Sequence, residues 1–152
     1  MTVYENLKLD NQLCFALYAA THSLTRAYRN ALERSGITYT QYLVMLVLWE
    51  SDNMSVGKIA QRLELDSGTL TPMLKRLESS GLIKRVRNTD DERVVEIRLT
   101  EAGALLQHEI AQVQQGVACK TGLGVEEFKQ LTEALHHLVD TMSVEKNKTL
   151  DD

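Results

Sequence analysis

Apolar side chains recur at three- and four-residue steps along much of the chain, the spacing that places them on one face of an α-helix. The first such segment covers residues 10–33. A second, more uniformly apolar segment covers 42–49, and Thr38 followed by Gln41 predicts a capping box at its start. The apolar positions of the first helix are Leu13, Leu17, Ala20, Leu24, Ala27 and Ala31.

Two shorter helices and a hairpin follow. Residues 56–63 predict a helix capped by Ser55, and residues 69–79 predict a helix that begins after a polar turn. The runs 82–87 and 93–99 are rich in β-branched residues and are joined by a polar link. This arrangement predicts a small antiparallel β-hairpin.

The C-terminal part returns to helical periodicity, over 100–118 and from 125 to about 144, with glycines between the two segments. The predicted fold is therefore mainly α with a small β-hairpin wing. Residues of about 38–99 form a winged helix-turn-helix, and terminal helices of about 8–35 and 100–145 flank it.

Composition narrows the class of protein. At 152 residues with 43% hydrophobic residues, the chain suits a single domain over 1–152. With a net charge of −4, the composition is not that of a general polyanion-binding protein, so any nucleic-acid surface must be local. Two cysteines are too few for a secreted disulfide scaffold, and we expect a cytoplasmic protein. The sequence does not start with a basic segment followed by an apolar one, so we expect no export signal. Its apolar runs are too short to cross a bilayer, so we expect no membrane-spanning segment.

The helix over 69–79 and the hairpin combine features that suit DNA. Short hydroxyl side chains at the start of a helix allow close entry into the major groove, and cations further along can meet phosphates. Asp91 could hold Arg93 extended at the hairpin tip, where an arginine suits the minor groove. Any single cation could equally belong to an ordinary solvated surface. The candidate DNA-binding residues are Ser67, Thr69, Thr71, Pro72, Lys75, Arg76, Arg85, Arg87, Asp91 and Arg93.

Four motifs stand out within residues 38–103: Leu-Thr-Pro-Met-Leu-Lys-Arg-Leu-Glu, Gly-Leu-Ile-Lys-Arg, Asp-Asp-Glu-Arg and Leu-Thr-Glu-Ala-Gly. With these motifs, the segment resembles the MarR family of winged-helix regulators. The resemblance implies a homodimer that is paired through the first, fifth and sixth helices and bound to double-stranded, palindromic operator DNA. The apolar terminal helices agree with a homodimer, because they carry more hydrophobic surface than the core of one small chain needs.

The N-terminal segment Leu-Asp-Asn-Gln-Leu-Cys-Phe-Ala-Leu-Tyr and the later Ile-Thr-Tyr-Thr-Gln-Tyr resemble the organic hydroperoxide sensors of the OhrR type. That resemblance implies a repressor in which Cys14 is the peroxidatic cysteine. It further implies that Tyr18, Tyr28 and Tyr39 stabilise the thiolate, some of them across the dimer. In the two-cysteine branch, Cys119 of the other chain would be the resolving cysteine.

The residues support part of this chemistry independently. Cys14 lies in the first turns of a predicted helix, where free amides and the helix dipole favour a thiolate. Tyr28 is fourteen residues further along, which is about 21 Å at helical rise. It can therefore reach the sulfur only from a partner chain whose first helix runs antiparallel. Apolar neighbours would favour an organic peroxide, and the candidates are Phe15, Leu17 and Met45.

Two other functions stay open. A MarR-type repressor could be released by a non-covalent phenolic or lipophilic ligand, with Cys14 incidental. A thiol peroxidase could use Cys14 and Cys119 in turnover, although a DNA-reading helix and wing have no use in such an enzyme. The four histidines show no ligand spacing with carboxylates, so we expect neither a metal nor another cofactor.

Overall fold

The computed structural model describes residues 4–87 and 94–148. Four helices precede a β-hairpin and two helices follow it, with a short strand between the second and third helices. Two short 3₁₀ turns precede the first helix. The bounds are α1 Leu13–Leu32, α2 Tyr39–Glu50, β1 Met54–Ser55, α3 Val56–Arg62, α4 Ser67–Ser79, β2 Ile83–Arg87, β3 Val95–Leu99, α5 Glu101–Lys120 and α6 Val125–Lys148. The chain divides into two compact units, Met1–Val117 and Ala118–Asp152.

Helix α1 begins at Leu13, three residues later than predicted, because Leu9–Asn11 forms a 3₁₀ turn instead. It ends through another short 3₁₀ turn, and Gly36 then takes a left-handed conformation at φ 67° that glycine adopts without strain. The predicted apolar face exists, but within one chain it is largely uncovered. Leu13 is 63% exposed, whereas Leu32 is the only fully buried residue of this helix.

Helix α2 forms the centre of the core. The predicted capping box is confirmed: the Thr38 amide donates to Gln41 Oε1 at 2.8 Å, and the Gln41 amide donates to Thr38 Oγ1 at 3.3 Å. The helix therefore begins at Tyr39, earlier than the apolar run indicated. Apolar residues around its whole circumference are buried, namely Tyr42, Val44, Met45, Val47 and Leu48.

Helices α3 and α4 form the predicted helix-turn-helix. Ser55 caps α3 by accepting from the Lys58 amide at 3.3 Å, as predicted. Ile59 and Ala60 are buried as expected, while Leu63 is half-buried. Helix α4 places one face against the core and leaves the opposite face in solvent. Its fully buried residues are Leu70, Leu74 and Leu77.

The wing is a three-stranded antiparallel sheet in the order β1-β3-β2. The predicted hairpin pairs Ile83 with Leu99 and Arg87 with Val95. Strand β1 was missed by sequence analysis, because its two residues are too few to show alternation. Residues 88–93, which include the predicted hairpin link, lie outside the described part of the chain.

A close backbone approach joins the wing to α5. The amide of Thr100 donates to the Leu82 carbonyl at 3.1 Å, and the Thr100 hydroxyl donates to the Gly81 carbonyl at 2.6 Å. A Cβ on Gly103 would lie 2.0 Å from the Leu82 oxygen, so only glycine fits there. The Trp49 indole donates to the Gly103 carbonyl at 2.9 Å and ties α2 to the start of α5.

Helix α6 belongs to the second unit and follows a break at Gly122, which has φ 72°. It extends to Lys148, beyond the predicted end at about 144. Apolar side chains recur at three- and four-residue steps along this helix and are exposed within the single chain. They are Phe128, Leu131, Leu135, Val139 and Met142. Within the described residues, no helix is both long enough and apolar enough to cross a membrane.

Candidate DNA interface and thiol site

The first turn of α4 is fixed by Asp66. Its Oδ1 accepts from the Thr69 amide at 2.8 Å, and its Oδ2 accepts from the Thr69 hydroxyl at 2.6 Å. These bonds, the hydroxyl bond first, lower the pKa of the Asp66 carboxyl. The Thr71 hydroxyl donates to the Ser67 carbonyl at 2.7 Å. Two predicted DNA-binding hydroxyls are therefore already oriented by bonds within the protein.

The predicted cations of α4 lie on its solvent side. Lys75 and Arg76 are exposed, and neither forms an ion pair with another described residue. Pro72 is also exposed and interrupts the helix hydrogen bonds near these residues. This face therefore offers free positive charge to a polyanion.

A cleft of about 220 Å³ borders the same helix. It lies between α4 and the first turn of α2, and Gln41 is buried at its base. The cleft was not predicted, because the two segments that form it lie about thirty positions apart in the sequence. The side chains that line the cleft include Thr38, Thr40, Thr69, Pro72 and Arg76.

The wing arginines are not equivalent. Arg87 at the end of β2 is exposed, whereas Arg85 is half-buried and its Nε is cut off from solvent without a hydrogen-bond partner. The Arg85 amide donates to Glu78 Oε1 at 3.2 Å, which links β2 to α4. Asp91 and Arg93 lie outside the described residues.

Cys14 is exposed and is the second residue of α1. Gln12 precedes the helix and makes no side-chain cap, so the amides of the first turn are not occupied by it. Cys119 is also exposed and lies one residue before the end of α5, in the second unit. Both thiols are free.

The predicted thiolate tyrosines separate into two groups within one chain. The ring centroids of Tyr28 and Tyr39 lie 5.3 Å apart. Tyr18 lies elsewhere on α1, is 61% exposed, and contacts His22 with a centroid separation of 4.3 Å. Burial is the first cause that raises the pKa of Tyr39, and its electrostatic interaction with Tyr28 is the second. A raised pKa keeps the phenol protonated and able to donate.

Tyr42 joins this cluster and was not predicted as a site residue. Its ring stacks on Tyr28 with centroids 5.1 Å apart and planes inclined by 24°. Its position one helical turn after Tyr39 could have indicated that Tyr42 belongs to the cluster. The sequence prediction instead assigned Tyr42 to an apolar core segment. Met45, proposed as a neighbour of the peroxide, is fully buried in the core, so it cannot line a surface beside the exposed Cys14.

A second cavity, of about 290 Å³, lies between α2 and α5 within the first unit. Aromatic and aliphatic side chains form most of its wall, and its polar side chains are those of Glu50 and two glutamines. The lining residues include Tyr42, Leu46, Trp49, Gln107, Ile110 and Gln114. Among the described residues, no group of three or more histidine, cysteine, aspartate or glutamate side chains could hold a metal ion.

Comparison with known proteins identifies the family. A family profile described as transcriptional regulator SarA/Rot matches residues 26–110. The organic hydroperoxide resistance transcriptional regulator of Bacillus subtilis (strain 168) is 46% identical over 139 residues, covering 91% of this chain and 95% of the relative.

Several solved structures are also similar to this chain. Reduced AbfR bound to DNA, a protein of Staphylococcus epidermidis, is 38% identical with a TM-score of 0.77, covering 91% of this chain and 95% of that one. A disulfide form of AbfR has also been solved. A MarR C80S mutant from E. coli complexed with operator DNA is 26% identical with a TM-score of 0.76, covering 83% and 92% of the two chains. These relatives are transcriptional regulators and not enzymes, and the chain belongs to the MarR family of winged-helix, DNA-binding regulators.

Proposed function

We propose that this regulator is a repressor whose release from operator DNA is triggered by organic hydroperoxides through oxidation of Cys14. The observation that carries the proposal is the free, exposed thiol of Cys14 in the first turn of α1, where the sulfur is accessible to a peroxide. The similarity to a hydroperoxide resistance regulator supports it. So do the solved forms of AbfR, which include a reduced DNA-bound form and a disulfide form of that protein.

Two balanced steps describe the chemistry. The Cys14 thiolate attacks the terminal oxygen of R–OOH, and the O–O bond breaks. The alkoxide leaves and takes up a proton as R–OH, and cysteine sulfenic acid remains. The thiol of Cys119 from the other chain then attacks the sulfenic sulfur, so that a disulfide forms and water leaves. Two cysteine sulfurs supply the two electrons that reduce the peroxide to alcohol and water.

The exposed faces of the chain support the proposed DNA-bound state. Two chains pair through the terminal helices, whose apolar residues are uncovered in one chain, and the homodimer reads a palindromic site in the cytoplasm. In each half-site α4 enters the major groove, where Thr69 and Thr71 face the base edges. Lys75, Arg76 and Arg87 meet phosphates. Ser67 and Pro72 lie at the same helix entry, and Arg85, Asp91 and Arg93 belong to the proposed wing contact.

Thiolate stabilisation is proposed to come from phenol hydroxyls. Tyr28 and Tyr39 from one chain donate to the Cys14 sulfur of the other, because helical rise keeps Tyr28 about 21 Å from its own Cys14. Tyr18, one turn from Cys14, donates within the same helix or to the partner. A disulfide tolerates only about 7 Å between Cα atoms, so its formation is expected to move the helices and alter the spacing of the two α4 helices.

The test compares operator binding by wild-type, Cys14→Ser and Cys119→Ser proteins before and after stoichiometric cumene hydroperoxide. Non-reducing gels are run in parallel. Wild type is expected to release DNA as a crosslinked dimer, Cys14→Ser to stay bound, and Cys119→Ser to lose the crosslink. Release of DNA by Cys14→Ser at the wild-type peroxide dose would overturn the thiol-based mechanism.

A second candidate function is release by a non-covalent phenolic or lipophilic ligand. The cavity between α2 and α5 favours it, since about 290 Å³ with mostly apolar walls and a few polar groups suits a small organic molecule. Response to such a ligand should survive Cys14→Ser. It should be lost when Leu46→Trp fills the cavity, whereas the peroxide response should survive that change.

A further inference from the structure

The cleft between α4 and the first turn of α2 contains a hydrogen-bond donor that the protein itself does not use. Gln41 lines this cleft and is only 6% exposed. Its Oε1 accepts from the Thr38 amide at 2.8 Å, which fixes the side-chain amide group in place. Within the described part of the chain, its Nε2 donates no hydrogen bond to another residue. A buried side chain with a fixed, unused donor indicates that an acceptor from outside the chain binds there.

The threonine hydroxyls at the start of α2 supply a second donor. Thr38 Oγ1 already accepts from the Gln41 amide at 3.3 Å, and it lies 3.1 Å from Thr40 Oγ1. Two hydroxyls carry two protons, and one proton is sufficient for the bond between them. The other proton is therefore left for a group outside the pair. Both threonines are exposed and line the cleft.

The charge of the cleft is positive. Arg76 lines it from the α4 side and forms no ion pair with another described residue. Helix α2 has twelve residues, and the amides of its first turn add the positive end of its dipole. The described side chains that line the cleft include no carboxylate. These groups suit an anion with several acceptor oxygens.

The position of the cleft indicates that this anion belongs to the DNA backbone. Its volume of about 220 Å³ is below the roughly 300–1,000 Å³ of typical pockets for organic ligands, and it suits one phosphate group. Thr69, Pro72 and Arg76 recur at three- and four-residue steps and border the cleft on one side of α4. When α4 enters the major groove, the first turn of α2 is brought beside the backbone strand that borders this groove.

We propose that the cleft binds one backbone phosphate of the operator in each half-site. Gln41 Nε2 and a threonine hydroxyl of α2 donate to the phosphate oxygens, and Arg76 of α4 neutralises their charge. This inference rests on the proposed function, in which α4 enters the major groove. The bound phosphate contacts both helices, so it fixes the position of the DNA backbone relative to α2 as well as to α4.

Gln41→Glu is the decisive variant. Glutamate is suited to the same position of a capping box, so its carboxylate can still accept from the Thr38 amide and the fold is expected to persist. The substitution replaces the free Nε2 donor by an anionic oxygen that repels a phosphate. Gln130→Glu in α6 is the matched control, because it makes the same change of charge at an exposed glutamine outside the winged helix. Urea unfolding of the full-length variants checks their stability.

Fluorescence anisotropy measures binding to a palindromic operator duplex. Gln41→Glu is expected to lower the affinity by at least about tenfold, because it removes a hydrogen bond to a charged group and adds repulsion. Thr40→Val removes one neutral donor and is expected to lower the affinity by about threefold. Gln130→Glu should bind like wild type.

A scan with methylphosphonate, which removes the charge of one DNA phosphate at a time, locates the contact. In wild type, replacement of the phosphate bound in the cleft should weaken binding. With Gln41→Glu the same replacement should restore affinity, because the repulsion between the carboxylate and the phosphate is removed. Replacements at the phosphates bound by Lys75 and Arg87 should weaken both proteins equally.

Three results would overturn the phosphate site. The first is wild-type affinity in Gln41→Glu while Lys75→Ala binds more weakly, which would leave the docking of α4 intact. The second is a methylphosphonate scan with the same pattern in Gln41→Glu and wild type. The third is release of DNA by inorganic phosphate beyond that caused by chloride at equal ionic strength, since the cleft would then bind a free anion. Wild-type affinity in both Gln41→Glu and Lys75→Ala would instead show that the proposed docking of α4 itself is wrong.

Discussion

Tyr28 in α1 and Tyr39 in the first turn of α2 lie with their ring centroids 5.3 Å apart, although a left-handed glycine turn separates their helices. The turn at Gly36 and the capping box at Thr38 fix where α2 begins and therefore where Tyr39 points. Two residues that sequence resemblance associates with one sulfur are thus adjacent within one chain. Tyr42 extends the pair into the core.

The tyrosine cluster predicts a pH dependence of stability. The folded-state pKa of Tyr42 is raised, so its contribution to stability is complete below the ordinary value of 10.0 and is lost as pH rises toward the folded-state pKa. Above pH 10.0 wild type should lose free energy of unfolding more steeply than Tyr42→Phe. Urea unfolding at increasing pH measures this difference. Parallel curves for the two proteins would contradict it, and Tyr4→Phe should follow wild type.

The backbone of Gly103 lies so close to that of Leu82 that adding one methyl group at Gly103 is expected to lower stability strongly. In Gly103→Ala the new Cβ would lie 2.0 Å from the Leu82 carbonyl oxygen, so backbone must move. We expect a loss of about 2 kcal/mol or more in the free energy of unfolding. Gly116→Ala in the same helix is the control, because nothing lies within 4 Å of its Cβ position. It should be neutral or stabilising by up to about 1 kcal/mol, the helix propensity difference.

Chemical denaturation of both glycine variants and wild type provides the measurement. Equal stability of Gly103→Ala and Gly116→Ala would mean that the junction between wing and α5 is loose. A large loss confined to Gly103→Ala would support a fixed junction, through which α5 holds the wing.

The exposed cations predict the salt dependence of operator binding. Lys75 and Arg87 are exposed, and each is expected to bind one phosphate per half-site. Replacing either by alanine should lower the slope of log affinity against log salt by about 1 for each phosphate that the variant no longer neutralises. Arg85→Ala should change the slope less, since its Nε is buried.

Fluorescence anisotropy across a salt series gives these slopes. Lys129→Ala in α6 is the matched control, because it removes an exposed cation outside the winged helix. A slope change in Lys129→Ala as large as in Lys75→Ala would indicate that the whole charge of the protein, and not this surface, determines binding.

Much of the fold was predictable because its signals are local. The capping box at Thr38, the cap at Ser55 and the hairpin were read from short motifs, and all three are confirmed. The strand at Met54 was not predicted, because its two residues are too few to show alternation and its pairing partner, Ile97, is distant in sequence. The stacking of Tyr42 on Tyr28 was not predicted either. Helical periodicity places a residue on one face of a helix but does not identify which residue packs against it.

The apolar face of α6 predicts self-association. Five hydrophobic residues recur along this helix and are exposed within one chain, among them Leu135. A contiguous apolar face on such a regulator is expected to be covered by a second copy. Leu135→Asp places a charge in that face, whereas Gln130→Asp places the same group on the opposite side of the helix.

Analytical ultracentrifugation of the two variants and wild type tests the prediction. Wild type and Gln130→Asp should sediment as dimers, and Leu135→Asp should shift toward monomer as concentration falls. Because one unpaired charge in an apolar contact costs several kcal/mol, the dissociation constant should rise by at least about tenfold. Operator affinity should fall with it, since a monomer loses one of the two half-sites. A dimeric Leu135→Asp with wild-type affinity would exclude this face of α6 from the interface.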